Sequence, residues 1–86
     1  MFEEKNWKKL VDYYKNLDII RNDTKELLKK LNNNEELVYV VEGVIGSSAL
    51  QWVDRKIPAL NNGKPVNFVK SEEKIEKLKI LLMEID

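Results

Sequence analysis

The sequence predicts an all-α fold, a compact single domain of five or six short helices. Apolar residues recur at intervals of three and four near both ends of the chain, which places them on one face of a helix. Three acidic pairs, Glu3-Glu4, Glu35-Glu36 and Glu72-Glu73, stand where first turns of helices are expected, since negative charge there favours the helix dipole. Asparagine, glycine and proline separate these segments, and 86 residues provide for one domain.

Two helices are predicted within residues 1–36. The apolar stripe of the first consists of Trp7, Leu10, Val11, Tyr14 and Leu17. Asp23, with Glu26 three residues later, predicts the start of a second helix that carries Leu27, Leu28 and Leu31. The asparagines from Asn32 to Asn34 predict a loop.

The run Leu37 to Val41 is compatible with a strand or with a helix. Its β-branched and aromatic residues favour a strand, whereas the apolar residues from Leu37 to Val44 also keep helical spacing. We predict a helix, because Glu35-Glu36 suit its positive end and Gly46 suits its other end.

The C-terminal segment predicts the last helix. Ser71, followed by Glu72 and Glu73, has the composition of a helix start. The apolar residues of one face are Ile75, Leu78, Leu81 or Leu82, and Ile85. Lysine and glutamate occupy the other side, as in a helix that packs on a core.

The segment between these helices has the most distinctive order in the chain. Gly46 can take the positive φ that ends a helix. Ser47 or Ser48 can cap the next helix, and Gln51, three residues after Ser48, completes a capping-box pattern. Pro58 is expected to stop that helix.

A turn and a further short helical turn are predicted next. Asn61-Asn62-Gly63 has turn chemistry, and Pro65 is placed to open another turn of helix.

The spacing of the glycines, prolines and Trp52 in this segment resembles the C-terminal toxin-binding domain of the Xre/MbcA/ParS-like antitoxins over about Leu37 to Ile85. The residues that match the core of that motif are Gly46, Ala49, Trp52, Pro58, Leu60, Gly63 and Pro65. The chain departs from it at Lys56, where the family often has a proline, at Asn62, where its turn glycine usually falls, and in lacking a glycine after the last helix.

The resemblance implies a protein-binding module that neutralises a RES-domain toxin acting on NAD. Family members cover the active site of the toxin and tend to form homodimers, and a helix-turn-helix domain usually precedes the toxin-binding domain. Residues 1–36 are short for such a DNA-reading domain, so we expect a helical pair of unknown role there and no autonomous binding of nucleic acid. Residues 37–86 would form the antitoxin-like unit, and both parts together one domain.

The predicted partner-binding residues lie in the loop from Asp54 to Lys64 and at the C-terminal end. They are Arg55, Lys56, Asn61, Asn62, Lys64, Met83, Ile85 and Asp86. The alternatives are a solvated turn and a fraying end. Trp52 is expected in the core, because Ala49, Val53 and Leu60 accompany it, with a place at a protein interface as the alternative.

Composition restricts the other functions. There is no cysteine and no histidine, so disulfides, thiolate ligands, the commonest metal ligand and the ordinary neutral-pH base are missing. We therefore predict no enzyme, no metal site and no cofactor. Equal numbers of basic and acidic residues, 15 each, argue against a strong grip on nucleic acid.

The longest apolar run, Leu37 to Val41, is too short to span a bilayer, and the N-terminal residues are unlike a secretory signal. No membrane association and a cytoplasmic location are expected.

Two functions other than the neutralisation of a toxin remain open. One is a stand-alone decoy or homodimeric interaction module of the mobile-element type, and the other is a small DNA-binding regulator.

Overall fold

Helices account for most of the chain, as the sequence predicts. The computed structural model describes residues 3–17 and 24–85. Its α-helices are α1 (Glu4–Asn16), α2 (Thr24–Lys30), α3 (Glu35–Ile45), the single turn α4 (Ala49–Trp52) and α5 (Glu72–Ile85). Three 3-10 helices span Gly46–Ser48, Pro58–Leu60 and Pro65–Val69. No strand forms within the described ranges, so the all-α prediction is confirmed.

The central element is α3, which contacts α1, α2, α4 and α5. Its residues Leu37, Val38, Val40 and Val41 are buried on several sides. A helix that is apolar around most of its circumference is one surrounded by other elements, and this burial outweighs the strand propensity of the run. The Asn34 side chain caps α3 by accepting a hydrogen bond from the Leu37 backbone N–H at 3.1 Å.

The other helices close the core around α3. The buried side chains are Trp7 and Val11 from α1, Leu27 from α2 and Leu31 directly after it, Ala49 from α4, and Leu78, Leu81 and Leu82 from α5. Helices α1 and α2 therefore share one continuous core with residues 37–86. Leu17, the last member of the predicted α1 stripe, is instead 49% exposed.

Close packing of α1 on α3 depends on Gly43. A Cβ at this position would overlap the ring of Tyr14, which lies across the α3 backbone. The φ of Gly43 is not positive, so its backbone conformation does not require glycine. Glycine is required here because there is no space for a Cβ. No feature of the sequence had distinguished this glycine from the others.

The junction between α3 and α4 corrects one prediction. Gly46 has the expected positive φ, 79°, and its N–H donates to the Glu42 carbonyl oxygen. Neither Ser47 nor Ser48 caps α4, however, because the chain continues from Gly46 through a 3-10 turn directly into it, and the Ser48 side chain makes no capping hydrogen bond. The predicted cap at Asp23 lies outside the described residues.

The end of α4 is a second correction. The helix ends at Trp52, well before Pro58, and Pro58 opens a 3-10 turn of its own. The short helix is followed by a turn in which the Asp54 and Arg55 N–H groups donate to the carbonyls of Gln51 and Trp52. Pro65 opens the third 3-10 helix, as predicted.

Within the described ranges, each helix is too short or too polar to cross a membrane.

The start of α5 follows the prediction, since the Ser71 Oγ accepts from the Lys74 N–H at 3.3 Å. Glu35-Glu36 and Glu72-Glu73 occupy first turns, also as predicted.

Candidate protein-binding surface

The loop between α4 and the third 3-10 helix is held by its own backbone. Ile57 and Gly63 form an isolated antiparallel bridge, in which the Ile57 N–H donates to the Gly63 carbonyl at 3.0 Å. The Asn62 and Leu60 N–H groups both donate to the Ile57 carbonyl, at 3.0 and 2.9 Å. Because so many of its backbone groups are paired internally, this loop has one defined conformation that can present side chains to a partner.

Two asparagines make the tight turn possible. Asn61 and Asn62 both have left-handed backbone conformations, with φ of 55° and 63°. Asparagine tolerates this region better than most residues, which explains how Asn61 and Asn62 can both adopt it without a glycine. Gly63 is needed for space instead, since a Cβ there would lie 2.5 Å from the Phe68 Cε1 atom.

Buried side chains anchor both ends of this loop. Val53, Leu60 and Pro65 are buried, and the Val66 N–H donates to the Val53 carbonyl at 3.0 Å. Of the other residues predicted to form the core of the motif, Ala49 is fully buried, while Gly46 and Gly63 are half-buried at backbone turns.

Trp52 and Pro58 differ from the core prediction. Trp52 is only half-buried and packs against the edge of the core. The fully buried tryptophan is Trp7, which the sequence had placed in the α1 stripe. Pro58 is exposed, so its contribution is the fixed φ at the start of a 3-10 turn and not core packing.

The predicted polar residues of the loop are together on its surface. Exposed side chains belong to Arg55, Lys56, Asn61, Asn62 and Lys64. Asp54, which precedes them, pairs with Lys30 at 2.7 Å and thereby fastens α2 to the start of the loop. The hydrogen bond with Asp54 raises the pKa of Lys30 above its ordinary value.

The residues predicted at the C-terminal end divide differently. Met83 is half-buried and packs on the core, Ile85 is 46% exposed, and Asp86 lies outside the described residues. It is the preceding part of α5 that faces the loop, across a groove of about 340 Å³. The groove is lined by Ala59, Leu60, Asn61, Phe68, Lys77, Ile80, Leu81 and Glu84.

Sequence reasoning missed Phe68 and Ile80 as parts of this surface. Both are half-buried apolar residues, and Ile80 is outside the apolar stripe predicted for α5. An apolar residue beyond the core-facing stripe of an amphipathic helix is the signal that could have identified Ile80.

A second polar cluster joins α1 to α3, away from this groove. Glu36 accepts from Trp7 Nε1 at 3.0 Å and also pairs with the Lys8 ammonium. The hydrogen bond from Lys8, together with that from Trp7, lowers the pKa of Glu36 against the opposing effect of partial burial. The predicted structural role of the Glu35-Glu36 pair thus includes a tertiary contact, and Glu36 is not simply solvated.

The buried carboxylate of Glu42 links α3 to α2, because Thr24 Oγ1 of α2 donates a hydrogen bond to Glu42 Oε1 at 2.8 Å. Among residues 3–17 and 24–85, no cluster of three or more carboxylates could hold a metal ion. The loop and groove present exposed basic and amide side chains beside apolar ones.

Comparison with known proteins gives no match to any family model, to any curated protein or to any solved structure.

Proposed function

We propose that this chain is a protein-binding module of the Xre/MbcA/ParS-like antitoxin type. In this proposal it neutralises a RES-domain toxin that degrades NAD, by covering the active site of the toxin. The surface that covers it is the loop from Asp54 to Lys64 together with the end of α5. The mechanism is steric occlusion, so no reaction takes place on this chain.

The observation that carries the proposal is the internally bonded loop, which displays five polar side chains beside an apolar groove. Protein interfaces combine apolar pockets with a polar rim in this way. The order of elements gives further support. A helix ending at Gly46, a short helix with Trp52, a proline-led turn, a second proline-led turn and a final helix follow the order that the resemblance implies.

A homodimeric interaction module is the second candidate. Tyr13 is 59% exposed and Leu17 is 49% exposed, and both lie on the outer side of α1. Large exposed apolar side chains on one helix face favour contact with a second protein surface. This candidate predicts a dimer in analytical ultracentrifugation that the change Tyr13→Lys dissociates.

The proposed function is tested by capture and inhibition. The immobilised protein is exposed to a lysate of its source organism, the retained proteins are identified by mass spectrometry, and each is assayed for NAD degradation with and without the chain. We expect an NAD-degrading protein that the chain silences. If none of the captured proteins degrades NAD, the antitoxin proposal is wrong.

The matched variants Arg55→Glu and Lys5→Glu locate the inhibitory surface. Both reverse one exposed basic residue, but Lys5 lies in the first turn of α1, where negative charge is favourable. We expect Arg55→Glu to weaken inhibition by about tenfold or more while Lys5→Glu does not, with native helicity in both. Equal inhibition by the two variants would remove the loop from the interface.

A further inference from the structure

The basic residues of this chain are unevenly distributed. Over the whole sequence, basic and acidic residues balance at 15 each. Residues 55–70, however, include Arg55, Lys56, Lys64 and Lys70 and no aspartate or glutamate. All four basic side chains are exposed. The loop and the 3-10 helix after it therefore form a positively charged segment in a chain whose overall net charge is zero.

The fold does not neutralise this surface. Among the described residues, the ion pairs are Lys8 with Glu36, Lys30 with Asp54, and Lys79 with Glu4. None of these ion pairs involves Arg55, Lys56, Lys64 or Lys70. The neighbouring carboxylate, Asp54, is already held by Lys30 at 2.7 Å.

The backbone pairing of the loop puts two of these basic residues at opposed positions. Ile57 and Gly63 pair in an antiparallel bridge, so the residues that flank them, Lys56 and Lys64, are opposite each other. Like charges in directly opposite positions destabilise a pair of extended segments. An anionic group bound between the two segments would be attracted by both lysines.

An apolar groove adjoins the charges. Ala59, Leu60 and Asn61 of the loop form one side of it, and Ile80 and Leu81 of α5 form the other. Phe68 contributes its ring, with the Lys74 Nζ at 5.9 Å from the ring centroid. The volume of about 340 Å³ can accept one large apolar side chain from a partner.

We propose that the partner of this surface is an acidic protein segment, an inference that rests on the proposed function as a protein-binding module. One apolar side chain of the segment fills the groove, and carboxylates on either side of it face Arg55, Lys56 and Lys64. Nucleic acid fits less well, because a phosphate backbone offers no apolar side chain to fill the groove, whose lining includes Leu60, Phe68 and Ile80.

Selection of short random peptides displayed on phage tests the proposal. Peptides are selected on the wild-type protein and then compared on two double variants, Lys56→Glu/Lys64→Glu and Lys5→Glu/Lys25→Glu. Each variant reverses two exposed lysines. In the first variant residues 56 and 64 still carry like charges, so any repulsion between them is kept. Only the sign of the charge is reversed, from positive to negative. Circular dichroism checks that both variants keep native helicity.

We expect the selected peptides to combine aspartate or glutamate with leucine, isoleucine or phenylalanine. Their affinity should fall at least about tenfold on Lys56→Glu/Lys64→Glu, and remain within about twofold on the control variant. On the wild type it should fall several-fold between about 50 and about 200 mM NaCl. NMR shift changes on the labelled protein should include Ala59, Phe68 and Ile80.

Other outcomes overturn the proposal in distinguishable ways. Selection of neutral or basic peptides that shift the same groove residues would refute the acidic partner and leave a protein-binding module standing. Equal binding to the two double variants, or no enrichment at all, would also refute it. Binding of a labelled oligonucleotide at this surface, with no peptide selected there, would refute both the acidic protein partner and the proposed function.

Discussion

At the scale of single residues, two aromatic rings decide how tightly the helices pack. The ring of Tyr14 crosses α3 at Gly43, where no side chain could be accommodated without a shift. Trp7 is fully buried between α1 and α3 and also donates a hydrogen bond to Glu36. Trp52, in contrast, packs on the edge of the core.

We expect Gly43→Ala to lower the free energy of unfolding by about 1–2 kcal/mol. Overpacking against the Tyr14 ring costs more than the gain in helix propensity, which is about 1 kcal/mol. Chemical denaturation of the single and double variants measures this. With Tyr14→Leu already present, Gly43→Ala should become neutral or stabilising. A higher melting temperature for Gly43→Ala alone would contradict the packing described.

Alanine replacements should rank the two tryptophans. Trp7→Ala opens a cavity in the closed core and should cost about 3–5 kcal/mol, whereas Trp52→Ala should cost about 1–2 kcal/mol. Urea titrations followed by circular dichroism give both values. If Trp52→Ala proves the more damaging change, the core is centred on the segment around α4 and not on the contact of α1 with α3.

At the scale of elements, α1 is fastened to α3 by charge as well as by apolar burial. Glu36 in the first turn of α3 receives hydrogen bonds from Trp7 and Lys8, two consecutive residues of α1. The pKa of Glu36 is lowered and that of Lys8 is raised, each chiefly by this hydrogen bond. Both shifts mean that the charged pair is favoured in the folded protein.

The stabilising effect of Glu36 should depend on pH. Because its pKa is lowered on folding, its contribution is present above the ordinary value of 4.5 and is lost as pH falls through the lower folded value. Glu36→Gln keeps an acceptor for Trp7 but removes the charge. The wild type should therefore melt at a higher temperature than this variant at neutral pH, and the difference should vanish in acid.

Glu35→Gln is the matched control for that experiment, since Glu35 is exposed in the same first turn. Its melting temperature should follow that of the wild type more closely at every pH. A difference for Glu36→Gln that persists unchanged into acid would show that the lost contact is not ionic.

Helix existence was predictable element by element, but helix ends were not. The apolar spacing in α1 and α5 reports which face is buried. For Leu37 to Val41 the spacing left strand and helix open, and Glu35-Glu36 with Gly46 correctly predicted the helix. The predicted cap at Ser48 was wrong, because a 3-10 turn runs directly into α4 and the Ser48 side chain makes no capping hydrogen bond. The groove wall at Phe68 and Ile80 depends on how α5 meets the loop, which no local pattern encodes.

At the scale of the whole molecule, residues 37–86 do not form a separate core. Trp7, Val11, Leu27 and Leu31 are buried in the same cluster as the residues of α3 and α5. Without α1 and α2, the apolar side chains of α3 would meet water on two sides. The two N-terminal helices are therefore required to bury the element on which the rest of the chain packs.

A fragment of residues 34–86, which retains the Asn34 cap, should consequently fail to fold cooperatively. We expect its thermal transition by circular dichroism to be broad and its amide resonances poorly dispersed, beside a sharp transition for the full chain. A cooperative transition in the fragment would mean that residues 37–86 form an autonomous unit.

The turn at Asn62 and Gly63 also has a bearing on covalent ageing. An asparagine followed by glycine is prone to deamidation, because the next backbone nitrogen can attack its side-chain carbonyl. In the folded loop that nitrogen donates to the Leu60 carbonyl at 2.9 Å, which opposes the attack. Each opening of the loop removes this protection, and the aspartate or isoaspartate that results adds a negative charge beside Lys56 and Lys64. The working lifetime of the surface is thus limited by how often the loop opens.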